Sequence, residues 1–113
     1  MAIIYSQQDV SIIKSSTSNF ADARDATTGT ALNETATSDT QAVNAQRTAG
    51  RGGNLWTFRR VFFRFDTSAI SAVDTATLNI RGTGAGNAHF FVVKGTQGDT
   101  LTTADFDAID GWS

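Results

Sequence analysis

Three carboxylates fall within six residues late in the sequence, as Asp105-x-Asp107-x-x-Asp110-Gly111, with Asp99 nearby. Oxygen donors at that spacing beside a glycine suit a hard cation such as calcium. The EF-hand pattern is absent and no bidentate Glu follows, so the plainer reading is a capped, solvated helical turn. No metal or other cofactor is therefore expected; Asp105, Asp107 and Asp110 are the residues that would carry one. A second set is cationic. Arg47, Arg51, Arg59, Arg60 and Arg64 share the stretch 41–65, which holds no acidic residue. Guanidinium groups pair planar anions bidentately, so this block could engage phosphate, an anionic glycan or an acidic partner. The competing reading puts Arg60 and Arg64 on a solvated strand face, paired with acids of a neighbouring element. The run 105–110 is the candidate neighbour, within the chain or on another subunit. A third set is aromatic: Trp56, Phe58 and Phe62 could stack on sugar rings, although strand aromatics more often pack in cores or interfaces. The candidate binding or interface residues are thus Trp56, Arg59, Arg60, Phe62 and Arg64.

Catalytic chemistry has little to work with. His89 is the one imidazole, and beside Phe90 and Phe91 it reads as a hydrogen-bonded, partly buried histidine. Serines and aspartates are plentiful, but no nucleophile elbow marks a serine and no base is positioned for it. The glycine pairs match neither a phosphate-binding loop nor a dinucleotide fingerprint. Absence of cysteine removes disulfides, thiolate metal sites and thiol nucleophiles together. A net charge of −2 does not favour nucleic acid or anionic membrane. No apolar run is long enough to span a bilayer. The start, MAIIYSQQDV, lacks the basic and apolar regions of a secretory signal, so the Asn33-Glu34-Thr35 sequon carries no information. A non-enzymatic protein is expected.

The elements that would position these groups read as strands. With 113 residues, one domain over 1–113 is expected. The chain is rich in Thr, Ala and Gly, and apart from Ala it is poor in helix formers. Val10–Lys14 reads as a first strand. Residues 19–53 form a long polar excursion, with one or two edge strands over 31–44 and a glycine-bearing loop tip at 49–53. In 55–65, Val61, Phe63 and Phe65 share one face, read as inward, while Arg60, Phe62 and Arg64 share the other. Asp66-Thr67-Ser68 reads as a turn. Residues 74–81 alternate cleanly with Ala76, Leu78 and Ile80 inward, and 89–94 is a further strand, apolar on both faces. Thr102 or Thr103 would cap a short helical turn whose first residues are acidic. These elements predict an antiparallel β-sandwich or jelly roll.

One stretch is more specific. Arg60-Val61-Phe62-Phe63-Arg64-Phe65-Asp66-Thr67-Ser68-Ala69-Ile70, followed by Ala76-Thr77-Leu78-Asn79-Ile80, resembles the core signature of the DNRLRE-type jelly-roll domains. Asp9–Ile13 is similar to the first strand of that family, and Phe91-Val92-Val93 with the Trp112 segment to its next strand and tryptophan loop. The resemblance implies a mostly non-catalytic β-sandwich, of a kind that includes carbohydrate-binding modules and phage structural proteins. The spacing of 19–53 departs from the family, so the resemblance carries over a fold and no binding site. Such domains continue for several strands past the tryptophan loop, where this sequence stops at Gly111-Trp112-Ser113. Either the sequence is truncated or the missing strands come from a partner, leaving a sheet incomplete at its C-terminal edge. The expectation is a bacteriophage virion component, of capsid-decoration or fibre type, that associates with itself and with other virion proteins. It would dock through the arginine-bearing sheet and the polar loop. The alternative is a carbohydrate-binding module of a secreted enzyme or adhesin, extracellular and glycan-binding.

Overall fold

A computed structural model describes residues 3–34, 42–80, 82 and 90–110. Arg81, the connection 83–88, His89, Thr35 and the Trp112 segment lie outside the described residues. The ordered core is a four-stranded antiparallel sheet built from β1 (Ser6–Ser16), β2 (Ala31–Glu34), β3 (Asn44–Gly50) and β4 (Gly53–Phe65), in the order β2-β1-β4-β3. The two long strands are central and pair along almost their whole length, with Val10 opposite Phe62 and Ile12 opposite Arg60. The all-β class expected from composition is what the structure has, in a single sheet among the described residues.

β3 and β4 form a tight hairpin in which Gly50 faces Gly53 across Arg51-Gly52. Gly53 has φ +109°, a conformation that only glycine adopts without strain, and this explains the glycine run at the loop tip. The described parts of the excursion 19–53 carry more regular structure than its composition suggests. It opens with the one-turn helix α1 (Phe20–Arg24), where Asn19 caps the first turn by accepting from the Asp22 N–H at 2.9 Å. β2 falls inside the expected edge-strand region, whereas β3 starts at its last residue and runs on to Gly50. Near the other end, a 3-10 helix (Thr103–Asp107) has Thr102 as its N-cap. Asp105 accepts from the Thr102 backbone N–H at 2.7 Å, completing a capping box.

Two strand expectations fail. Residues 74–80 and 90–94 are exposed and have no ladder partner among the described residues; an isolated bridge joins Gly95 and Ile109 nearby. Alternation gives a segment a strand-like side-chain pattern, but a strand exists only where a neighbour takes its backbone hydrogen bonds.

The facing of β4 is the reverse of the expectation. Arg60 is 8% exposed and Phe62 5%, while Phe63 and Phe65 are each more than a third exposed. The buried cluster joins Val10, Ile12 and Phe62 to Leu101 and Phe106, with Leu32 and Phe58 packed against it. Every strand residue in that set is even-numbered. α1 and the 3-10 helix both contact this even face through Arg60. Gly29 closes the other side of the core. Its N–H donates to Thr103 O at 2.7 Å, and an added Cβ would run into Ile12 Cγ2 and meet Ile13 O at 3.2 Å.

Candidate functional site

Arg60 shows why the even face is the closed one. Its guanidinium donates to Phe106 O at 2.5 Å, to Arg24 O at 2.9 Å and to Asp107 Oδ1 at 3.2 Å. It also lies over the Phe106 ring, 4.3 Å from the centroid, with the Phe58 ring at 5.5 Å. Burial lowers its pKa, and the hydrogen bond and charge of Asp107 oppose that shift. The group stays a cation at any neutral pH. Fixed donors in a planar fork let one buried side chain tie together a strand, a helix end and the 3-10 helix. Arg60 is therefore a structural clamp, and it is not available to a ligand. Phe62 is removed from the candidate surface on the same ground, since its ring is in the core. Within the chain, the expected pairing of strand arginines with late acids does occur. Arg60 takes Asp107, while Arg64 takes Asp99, outside the 105–110 run, at 2.9 Å.

These pairings also account for the carboxylates. Asp105 turns back to cap its own helix, Asp107 faces Arg60, and Asp99 faces Arg64. Asp110 enters only through its backbone, donating to Lys94 O at 2.9 Å. Among the described residues no group of three or more His, Cys, Asp or Glu side chains could hold a metal ion.

Trp56 sits at the hairpin end of the even face. Phe20 meets its ring edge-on at 6.1 Å, and the Arg47 guanidinium lies 5.6 Å from it. Phe20, Ala45, Gln46, Arg47 and Trp56 line a shallow groove of about 350 Å³. Sequence reasoning named Trp56, and Arg47 within the cationic block, but placed neither Arg47 nor Phe20 beside Trp56. Arg47 stands opposite Trp56 in the β3–β4 register, so the hairpin glycines and a count back along the strand were the available signal.

The odd face differs in kind. Register places Ser11, Ile13, Arg59, Val61 and Phe63 on it, together with Asn33 and Asn44 of the outer strands. Ser11 is fully buried among its neighbours and its Oγ has no hydrogen-bond partner. The buried atoms Arg59 Nε and Asn44 Oδ1 are in the same position. No second sheet lies on this face among the described residues. Compared with known proteins, the chain matches no family model, no curated protein and no solved structure.

Proposed function

We propose that this chain is a non-enzymatic assembly protein, a structural component of a bacteriophage virion of the capsid-decoration or fibre type. Its fold in the assembled state would be a β-sandwich of the DNRLRE jelly-roll kind. The observation that carries the reading is a sheet closed on one face only. Phe63 and Phe65 are exposed on its odd face, and Val73, Leu78, Ile80 and Phe90 to Val93 are exposed in the segment that follows. Apolar surface on that scale marks an interaction site. The buried arginine, the paired acids and the capped turn are all occupied in holding the sheet, which leaves the surface to do the binding. Arg60 and Phe62 drop out of the docking surface. Among the described residues, Arg47 and Arg51, exposed at the β3–β4 end, and Arg59 on the odd face remain for an acidic partner. Individually weak contacts repeated over a symmetric shell would supply avidity.

A second reading rests on the Trp56 groove. An indole flanked by an aromatic edge and a guanidinium is a platform for a sugar ring, as in a carbohydrate-binding module. One comparison separates the two. A virion component co-sediments with particles, self-associates and ignores soluble glycans. A module is monomeric, is retarded on a glycan affinity gel, and loses that retardation in Trp56→Ala. Monomeric behaviour with no particle binding rejects the virion reading.

A further inference from the structure

The segment 71–80 that follows β4 pairs with no strand of the sheet among the described residues. Every described residue from 71 to 80 is exposed, and Phe91 is 86% exposed. The molecule measures 55 × 29 × 26 Å with a radius of gyration of 15.8 Å. A compact domain of this length has a radius near 13 Å, so the shape is that of a small body with an arm. The arm carries strand-like alternation, with Ala76, Leu78 and Ile80 on one side and Thr75, Thr77 and Asn79 on the other. The odd face of the sheet carries the complement: Ile13, Val61 and Phe63 form the apolar part, and Ser11 Oγ, Asn44 Oδ1 and Arg59 Nε are buried without hydrogen-bond partners. Native interiors rarely leave such atoms unpaired, and a second layer that displaces the side chains over them and brings both methyl groups and polar atoms would satisfy this face. The arm has that composition, yet it is exposed instead of covering its own sheet.

We propose that two copies of this chain exchange arms, the 73–80 segment of each covering the odd face of the other. The arrangement is isologous, since each copy gives one arm and receives one, and it closes at two copies. It rests on the assembly reading above and supplies the partner for it.

The chain's lack of cysteine makes the test clean. Light scattering of the full chain should give twice its 12.0 kDa mass. Phe63→Asp breaks the face and Leu78→Asp breaks the arm. Each variant alone should be monomeric with an unchanged far-ultraviolet spectrum. A mixture of the two should regain association, because one intact arm then meets one intact face. In the double variant Val61→Cys/Leu78→Cys, oxidation should produce a reductant-sensitive dimer. A monomeric wild-type chain overturns the proposal. So does a dimer that survives Leu78→Asp, which would mean the faces pair directly, and so does a disulfide closed within one chain. A dimer that fails to sediment with particles rejects the virion reading and leaves the exchange standing; a monomer that sediments does the opposite.

Discussion

Replacing Arg60 with alanine tests the account of the core most directly, because the structure assigns different weights to the contacts of one side chain. Two of its hydrogen bonds go to backbone carbonyls, Phe106 O at 2.5 Å and Arg24 O at 2.9 Å. Hydrogen bonds from a charged donor contribute about 1.5–3 kcal/mol each. The Phe106 ring at 4.3 Å adds about 0.5–2 kcal/mol. The ion pair is the small part. Asp107 keeps about a third of its side chain in water, and exposed pairs contribute roughly 1 kcal/mol or less. These terms do not add fully, since water reaches the freed carbonyls, and breaking a buried charged contact typically costs about 3–5 kcal/mol. Arg60→Ala should therefore cost about 3–4 kcal/mol, a large fraction of the stability of a small domain.

Urea titration followed by far-ultraviolet circular dichroism measures this. With a slope of about 1.5–2 kcal/mol/M, the midpoint should fall by roughly 2 M. Asp107→Ala should lower it by no more than about 0.5 M on the same slope. The double-mutant cycle between the two should return a coupling near 1 kcal/mol or below. Arg60→Met keeps the stem between the rings but removes the donors, and it should fall between wild type and Arg60→Ala. If Arg60→Ala stays within about 1 kcal/mol of wild type, or if Asp107→Ala costs as much as Arg60→Ala, the clamp argument is wrong.

Three further outcomes are expected. Gly29→Ala forces a methyl group into Ile12 and the Ile13 carbonyl, and should lower stability by about 1–3 kcal/mol in the same titration. Phe62→Ala should cost about 3–5 kcal/mol, whereas Phe63→Ala, one residue on and facing out, should cost the isolated copy less than half as much. Hydrogen bonds from the Ser68 side chain and backbone N–H hold the Asp66 carboxyl below the usual carboxylate range. A depressed folded pKa means its stabilisation is complete above the unfolded value of about 3.9 and is lost as pH falls through the lower folded one. Ser68→Ala should move the Asp66 titration upward, read by carboxyl NMR, and remove part of the stabilisation that the depressed carboxyl contributes at neutral pH.

The strand over 55–65 was legible, and its facing was misread for a definite reason. In the window 60–65 the odd residues Val61, Phe63 and Phe65 look like the core, with two arginines opposite. Over the whole strand the balance reverses: Trp56, Phe58 and Phe62 fall on the even side, while Thr57 and Arg59 fall on the odd. Aromatic mass outweighs the cost of one buried arginine once that arginine finds two carbonyls, a carboxylate and a ring. The late 3-10 helix was legible to its cap, because Thr102 and Asp105 carry the signal locally. α1 was not, because beyond the Asn19 cap its five residues are held by distant contacts, Phe20 on Trp56 and Phe58 and Arg60 on Arg24 O. The strand readings at 74–80 and 90–94 failed because pairing is a property of neighbours, which alternation cannot supply. Of the candidate site residues, Trp56 and Arg59 keep accessible or incompletely paired groups, while Arg60, Phe62 and Arg64 are engaged within the chain.

The odd face also limits what can cover it. Arg59 Nε, Asn44 Oδ1 and Ser11 Oγ are already shielded from water, and a purely apolar partner leaves each of them unpaired, at about 1–3 kcal/mol per atom. Burying the exposed Phe63 contributes at most about 1.5–3 kcal/mol whichever apolar partner covers it, so the polar atoms decide between partners. A partner that presents apolar groups together with hydroxyls or amides recovers both terms. The face therefore favours a patterned strand over an apolar partner through the polar bonds that only the strand can add. Arg59→Leu removes the penalty at one point. It should strengthen adventitious association, seen as concentration-dependent aggregation in light scattering, while leaving the fold intact. If Arg59→Leu instead dissolves association without gain of aggregation, Arg59 makes a direct polar contact in the assembled state, and the face is selected by that bond alone.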